Sequence, residues 1–284
     1  MATFYNQATL SYNDTVTNSN VTTGELIEAL EAEKNAISTS YRIGESVAYA
    51  ISIVNSSASP ISNITVTDNL GAISEAGSAT VYPLDYIDGT LRFYVNGALT
   101  AAPTVTSGAP LVISGITIPA GANAIIIYEA RVNSAAPGAA GSVITNTAVI
   151  SGDTLGENIT VSSSIPVRDE ASLTIAKAIC PDTVTDNSEI TYTFIIQNSG
   201  NAEADASANV SVSDTFNPVL TNISVSIDGD PLPTTAYTYD ETSGVFATVP
   251  GQITVPGATY SVNPTTGDQV ITPGVAILKI VGTV

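Results

Sequence analysis

Residues 171–198 read ASLTIAKAICPDTVTDNSEITYTFIIQN, and the segment Ile190–Ile196 (ITYTFII) alternates apolar and polar side chains. A period of two marks a strand with one face in a core. The same layout occurs earlier in the chain. Lys34 precedes Tyr49 by fifteen residues, as Lys177 precedes Tyr192, and six residues beyond each tyrosine an asparagine, Asn55 or Asn198, closes the apolar run. Val47–Val54 (VAYAISIV) is the counterpart strand. Farther on, Thr65-Val66-Thr67-Asp68 matches Ser211-Val212-Ser213-Asp214, and Ile116–Pro119 matches Ile253–Pro256. Two copies of one all-β unit explain this spacing. Turn signals such as Asp88-Gly89, Asn96-Gly97 and Asp228-Gly229 separate short strands, which predicts sandwiches of two antiparallel sheets. One stretch pulls the other way. Gly24–Asn35 (GELIEALEAEKN) has helical propensity, whereas the repeat puts at least its end on a strand, so its first half reads either way.

Composition narrows function. Among 284 residues, 7 basic side chains face 26 acidic ones, a formal charge of −19. That argues against nucleic-acid partners and anionic membrane surfaces, which need clustered Lys and Arg. Histidine is absent and Cys180 is the only cysteine, which removes the commonest general base, internal disulfides and cysteine-rich metal or redox sites. No metal and no cofactor is expected, and the chain does not read as a turnover enzyme. With 44% hydrophobic residues and a mean hydropathy of +0.27, it is not a disordered acidic chain. The longest apolar burst, Ala124–Tyr128, is far too short to span a membrane. The opening residues MATFYNQATL lack a basic flank and an apolar run, so no signal peptide is expected.

The copies are unequal. After Pro119-Ala120-Gly121 the first continues through Tyr128–Val132 to a last strand, Val143–Ile150. The second reaches Ala276–Val281 and stops at Val284, short of that strand. Its sequence recurs at the other end of the chain. Asn6-Gln7-Ala8-Thr9-Leu10-Ser11 matches Asn146–Ser151, and in the same register Asn18 falls on Asn158 and Val21 on Val161. The expected layout is an N-terminal arm over 1–23, a complete domain over 24–166 and an incomplete domain over 167–284. A sandwich without an edge strand exposes backbone donors and acceptors together with core side chains. Donor-strand complementation by residues 6–11 satisfies both. Because the arm leads into a domain that is already complete, the expected acceptor is another copy, giving a head-to-tail fibre or a ring; the fibre is the expected product. Closure of the second copy by its own arm is the other arrangement.

The block containing ALEAEKNAIS and YRIGESVAYAISIVNSSASPISNITVTDNL, like ASLTIAKAICPDTVTDNSEITYTFIIQNSG with ANVSVSDTF, resembles the DUF11 repeat of bacterial surface proteins. Asn187-Ser188 replaces the family's Gly-rich turn. The resemblance implies immunoglobulin-like domains and a cell- or spore-surface setting, with no specific ligand. Without an export signal, that setting implies assembly in a mother cell or a leader lost upstream.

The chain has three lysines, and two of them, Lys34 and Lys177, hold matched positions, as do Asp68 and Asp214. The order Lys34…Asp68…Asn146 resembles bacterial immunoglobulin-like fibre domains in which a first-strand Lys joins a last-strand Asn through a spontaneous isopeptide bond. In that scheme Asp68 and Asp214 are the promoting acids. Lys34 and Asn146 form the intramolecular link, and Lys177 reaches Asn6 of a neighbouring copy. The chemistry requires a neutral, desolvated amine and an acid that polarises the carboxamide and shuttles protons while ammonia leaves. The expected partner is the chain itself, with a surface-anchoring protein or host ligand beyond it. The competing reading is an adhesin that presents residues 69–115 to a glycan or protein.

Overall fold

The structure, a computed structural model, describes residues 2–26, 30–73, 80–153, 155–263 and 265–284. The fold is essentially all-β. Two compact units share the chain, one of Met1–Thr39, Gly44–Asn133 and Thr145–Ile165, the other of Ser40–Ile43, Ser134–Ile144 and Pro166–Val284.

The chain begins as a two-stranded ribbon. Strands β1 (Ala2–Asn6) and β2 (Thr9–Tyr12) run out, and β3 (Thr15–Asn18) and β4 (Thr22–Leu26) return antiparallel, β2 with β3 and β1 with β4. Asn13 and Asp14 make the two-residue turn, both at positive φ (45° and 60°). That is the type I′ conformation whose twist suits a hairpin and which Asn and Asp tolerate. The pairings Asn6↔Thr22 and Thr9↔Asn18 leave one extra residue on the return side, a bulge. Phe4, Leu10 and Tyr12 stay exposed.

In the first unit, one sheet contains β5 (Leu30–Ala36), β6 (Ser46–Asn55), β8 (Leu84–Tyr86), β9 (Arg92–Val95), β10 (Ala98–Thr100) and β13 (Asn123–Val132). The other contains β7 (Ile61–Asp68), β11 (Thr104–Gly108), β12 (Leu111–Ile118), β14 (Val143–Ser151) and β15 (Ile159–Pro166). Their orders are β10-β9-β13-β6-β5, with β8 also on β13, and β11-β12-β7-β14-β15. Strand β6 alternates buried and outward positions, as its sequence demands. Val47, Tyr49, Ile51 and Ile53 enter the core, as do Ile64, Val66, Ile113 and Ile116 of the other sheet. Each such side chain contributes about 1.5–3 kcal/mol by leaving water. No helix occupies Gly24–Asn35 among the described residues: Thr22–Leu26 and Leu30–Ala36 are strands, and residues 27–29 lie outside the description. The 69–115 region builds β8 to β11 and the start of β12, with residues 74–79 likewise outside it.

The second unit orders β16 (Leu173–Cys180), β17 (Glu189–Asn198), β19 (Thr221–Ile227), β20 (Asp230–Pro231) and β25 (Gly274–Thr283) as β16-β17-β25-β19-β20. Facing strands are sparse: β18 (Ser213–Thr215), β21 (Tyr237–Asp240) and β22 (Val245–Thr248), in the order β18-β22-β21. A separate hairpin joins β23 (Thr259–Val262) and β24 (Gln269–Thr272). Ile190, Tyr192, Phe194 and Ile196 form a core with Ala276, Leu278, Ile280, Phe216 and Phe246. Among the described residues, β18 has a strand on one flank only, β22. In the first unit the matching strand β7 is flanked on both sides, by β12 and β14.

Candidate functional site

Strand pairing fixes the correspondence between units. Lys34 lies opposite Ile51 on β6, and Lys177 lies opposite Phe194 on β17. Tyr128 pairs Tyr49 where Ile280 pairs Tyr192.

In the first unit the structure gathers Lys34, Asp68 and Asn146, all buried among apolar neighbours. Lys34 projects inward from β5 because even positions of that strand face the core. Asp68 ends β7, and Asn146 sits on β14. Lys34 Nζ donates to Asp68 Oδ2, and their side chains are fully screened from solvent. Tyr128 was invisible as a site residue in the sequence, yet its hydroxyl ties the group together. It donates to Asp68 Oδ2 and accepts from Lys34 Nζ at 3.2 Å and from Asn146 Nδ2 at 3.0 Å. Lysine and carboxamide thus share one hydroxyl.

The backbone completes the site. After Asp68 the chain turns through Leu70 and Gly71 at positive φ (49° and 70°). This aims the Leu70 N–H at Asp68 Oδ1 (2.9 Å) and the Gly71 N–H at the Asn146 carbonyl oxygen (3.3 Å). A donor on that oxygen sits where negative charge gathers when the carboxamide carbon is attacked. Asn69 anchors the turn to β14 by accepting from Thr147 N (2.8 Å).

Electrostatics follow from burial. Desolvation is the dominant influence on Lys34 and lowers its pKa from the usual 10.5, against the opposing pull of Asp68. The amine therefore reaches its neutral, nucleophilic form more readily than a surface lysine. Burial, reinforced by Asp68, pushes Tyr128 well above 10, so its hydroxyl keeps the proton it donates. The Tyr49 ring lies under Lys34 Nζ, 4.9 Å to its centroid.

In the second unit Lys177 donates to Asp214 in the same way, but in the open: the two side chains are 40% and 19% exposed. Tyr192, Phe194 and Phe216 surround the ammonium at 4.6, 5.5 and 5.5 Å. The structure does not bring Asn6 to this pair. Asn6 pairs Thr22 in the ribbon, where its carbonyl accepts from the Thr22 hydroxyl at 3.2 Å. Residues Asn6, Gln7, Ala8, Thr9, Leu10 and Ser11, expected as one extended strand, are split between β1 and β2 and hydrogen-bonded to their own return strand.

No protein-family model matches the chain, and no curated protein matches it. The DUF11 likeness therefore rests on the sequence pattern alone. Similar solved structures include the major pilin subunit of Bacillus cereus, at 14% identity and TM-score 0.37, covering 96% of this chain and 73% of that one. The pilus backbone from Streptococcus pneumoniae is 10% identical, with a TM-score of 0.35 over 86% of this chain and 55% of its own. A family 123 glycoside hydrolase from Clostridium perfringens is 13% identical over 49% of this chain, with a TM-score of 0.31. The chain thus spans about half of the pneumococcal protein and 27% of the hydrolase. At these scores the likeness transfers no residue role.

Proposed function

We propose that the chain is a structural subunit of a self-assembling surface fibre, with an N-terminal arm (1–23), a complete immunoglobulin-like domain (24–166) and an acceptor domain (167–284). The arm of one copy enters the acceptor domain of the next. One observation carries this reading: two matched Lys–Asp pairs differ in that β14 lies beside the aspartate strand of one and no strand among the described residues takes that place beside the other. In the first unit, Ala148, Val149, Ile150 and Ser151 of β14 pair Asp68, Thr67, Val66 and Thr65. Transferred to a neighbouring arm, the register sets Ala8 opposite Asp214, Thr9 opposite Ser213, Leu10 opposite Val212 and Ser11 opposite Ser211. Asn6 then arrives over Lys177 as Asn146 does over Lys34. The strand brings hydrogen bonds to an open edge and an apolar stripe to an open core.

The first site holds every group self-crosslinking needs, and the second holds the amine and the carboxylate. A proton passes from Lys34 Nζ to Asp68 along their hydrogen bond. The free amine attacks the Asn146 carboxamide carbon while the Gly71 N–H holds the developing oxyanion. Asp68 returns its proton to the departing nitrogen and takes the one left on Nζ. An amide forms, the carbon–nitrogen bond of the carboxamide breaks, and ammonia leaves. Lys177, Asp214 and Asn6 of the adjoining copy would supply the amine, the proton carrier and the carboxamide across the junction; the Phe216 N–H, which matches that of Leu70, donates to the Gly244 carbonyl instead. Packing in the folded site supplies the effective concentration, a factor of about 10⁵ M or more in well-oriented systems.

Deleting residues 2–12 tests assembly: the shortened chain should stay unpolymerised in electron micrographs while its first unit remains folded. Polymerisation of the shortened chain would overturn the reading. Intact mass tests the bonds, each of which removes one ammonia, about 17 Da. Asn146→Ala should abolish the internal loss, and Lys177→Ala should make fibres separable in boiling detergent.

A further inference from the structure

The first unit is closed by two strands of its second sheet, β14 and β15, and both have a bearing on the acceptor. Strand β15 points Ile159, Val161, Ser163 and Ile165 inward by its burial alternation. The Ser163 hydroxyl accepts from the Ala36 N–H at 2.9 Å, so β15 meets the free flank of β5. Strand β16, the counterpart of β5, is exposed at every residue. Its inward series runs Leu173, Ile175, Lys177 and Ile179, parallel to Leu30, Ala32, Lys34 and Ala36. Leu173 is 39% exposed where Leu30 is 3%. A single inserted strand beside β18 replaces β14 and leaves β15 without a counterpart.

Side-chain sizes identify what replaces it. The acceptor has Ile175 and Ile179 where the first unit has Ala32 and Ala36. The return half of the ribbon has, opposite Leu10, Asn6 and Phe4, the residues Thr17, Thr22 and Gly24; the corresponding half of β14–β15 is β15, with its larger Ile and Val side chains. A larger acceptor residue at 175 goes with Thr17 and Gly24 on the ribbon, smaller than the Ile and Val of β15, the direction that keeps packed volume, whereas at Ile179 both partners are larger, Thr22 standing for Ser163. The Phe4 ring also lies against Gly24, where a Cβ would meet it at 2.3 Å. A larger residue at 24 would have to displace that ring, the exposed end of a flexible side chain.

Building on the fibre reading, we propose that the donor is the whole ribbon, residues 2–26 of a second copy, seated as a pair of strands. Its outgoing strand lies beside β18. Its return strand lies over Ile175 and Ile179, with the Thr22 hydroxyl on the Ile179 N–H as Ser163 is on Ala36: the Thr145 and Ser164 hydroxyls meet at 2.8 Å, which sets Asn146 across from Ser163 as Asn6 is across from Thr22, one residue off the alignment that puts Val21 on Val161.

The test combines Thr22→Cys and Ile179→Cys in a Cys180→Ser chain. Nitrogen-15-labelled and unlabelled protein are mixed unassembled, allowed to polymerise and oxidised with copper phenanthroline. The expected result is a 22–179 disulfide joining one labelled and one unlabelled peptide, with no disulfide when Cys replaces Thr23, on the opposite face, in place of Thr22. Fibres that form with free thiols would overturn two-strand seating while leaving assembly through the arm intact. Disulfides confined to single-label pairs would overturn the second copy as occupant. Failure of the unsubstituted chain to polymerise would instead remove the fibre reading. Hydrogen exchange on unsubstituted fibres gives a second readout: residues 15–26 and 173–180 should slow together on assembly. Protection limited to 2–12 and 211–215 would overturn the proposal.

Discussion

The two Lys–Asp pairs have the same residues, lysines at the same register on their strands and the same hydrogen bond, and they live in different media. Lys34 and Asp68 are shut away under β14, whereas Lys177 and Asp214 face solvent. A buried ion pair is costly to form and still more costly to halve, while an exposed pair contributes little either way. A partly exposed salt bridge that contributes little in the lone chain fits the proposed role of a site that a second copy covers. On the fibre reading proposed above, the first unit shows the finished state of the second.

The largest difference should come from removing one carboxylate. Asp68→Ala strands an ammonium in the core and should cost the first unit about 3–5 kcal/mol. Asp214→Ala in the unassembled chain should cost about 0–1 kcal/mol. Urea unfolding followed by a probe in each unit reads both, and equal costs would break the comparison. Next, Leu30→Ala should cost about 2–5 kcal/mol. Its counterpart Leu173→Ala should change the unassembled chain by about 0.5 kcal/mol or less, yet weaken the fibre against detergent or heat.

Tyr128→Phe sharpens the contrast from the other side, because Ile280 holds the matching position. Loss of the shared hydroxyl should cost about 1–3 kcal/mol and slow the ammonia loss of the first unit, leaving the junction between copies unaffected. This substitution also has a pH signature. Tyr128 is raised well above 10, so above pH 10 the unfolded chain sheds a proton that the folded chain keeps. Stability from this group is whole below pH 10 and lost as pH climbs toward its raised value, and Phe should remove that slope. A smaller pH effect belongs to Tyr41, which burial pushes up to about 12. By the same sign, Tyr41→Phe should spare the second unit a loss of about 1 kcal/mol at pH 11.

Much of this was legible in the residues. Lys34, Asp68 and Asn146 declared themselves because matched spacing in two copies separates a placed lysine from a scattered one. Tyr128 did not, since comparing copies selects what recurs, and the second copy has Ile280. Gly71 acts through its backbone N–H, which no residue code announces. The donor arm was expected as one strand because the match to Asn146–Ser151 stands out, but Asn13-Asp14 held the missing information. Two residues that tolerate positive φ, between strands rich in Thr, make a hairpin, and a hairpin copies β14 and β15 together. The helical reading of Gly24–Asn35 failed because propensity is a weak prior beside strand pairing. Leu30 gains more from facing the core of a sheet than Glu and Ala gain from a helix in water, and the pairing with β6 carries Lys34 inward with it.

A cryo-electron microscopy reconstruction of the assembled fibre tests the central claim most directly. The account requires residues 6–11 of one copy to run antiparallel to residues 211–214 of the next, with Leu10 opposite Val212 and Asn6 beside Lys177. A fibre in which that flank is empty, or filled by residues of the same copy, would contradict it.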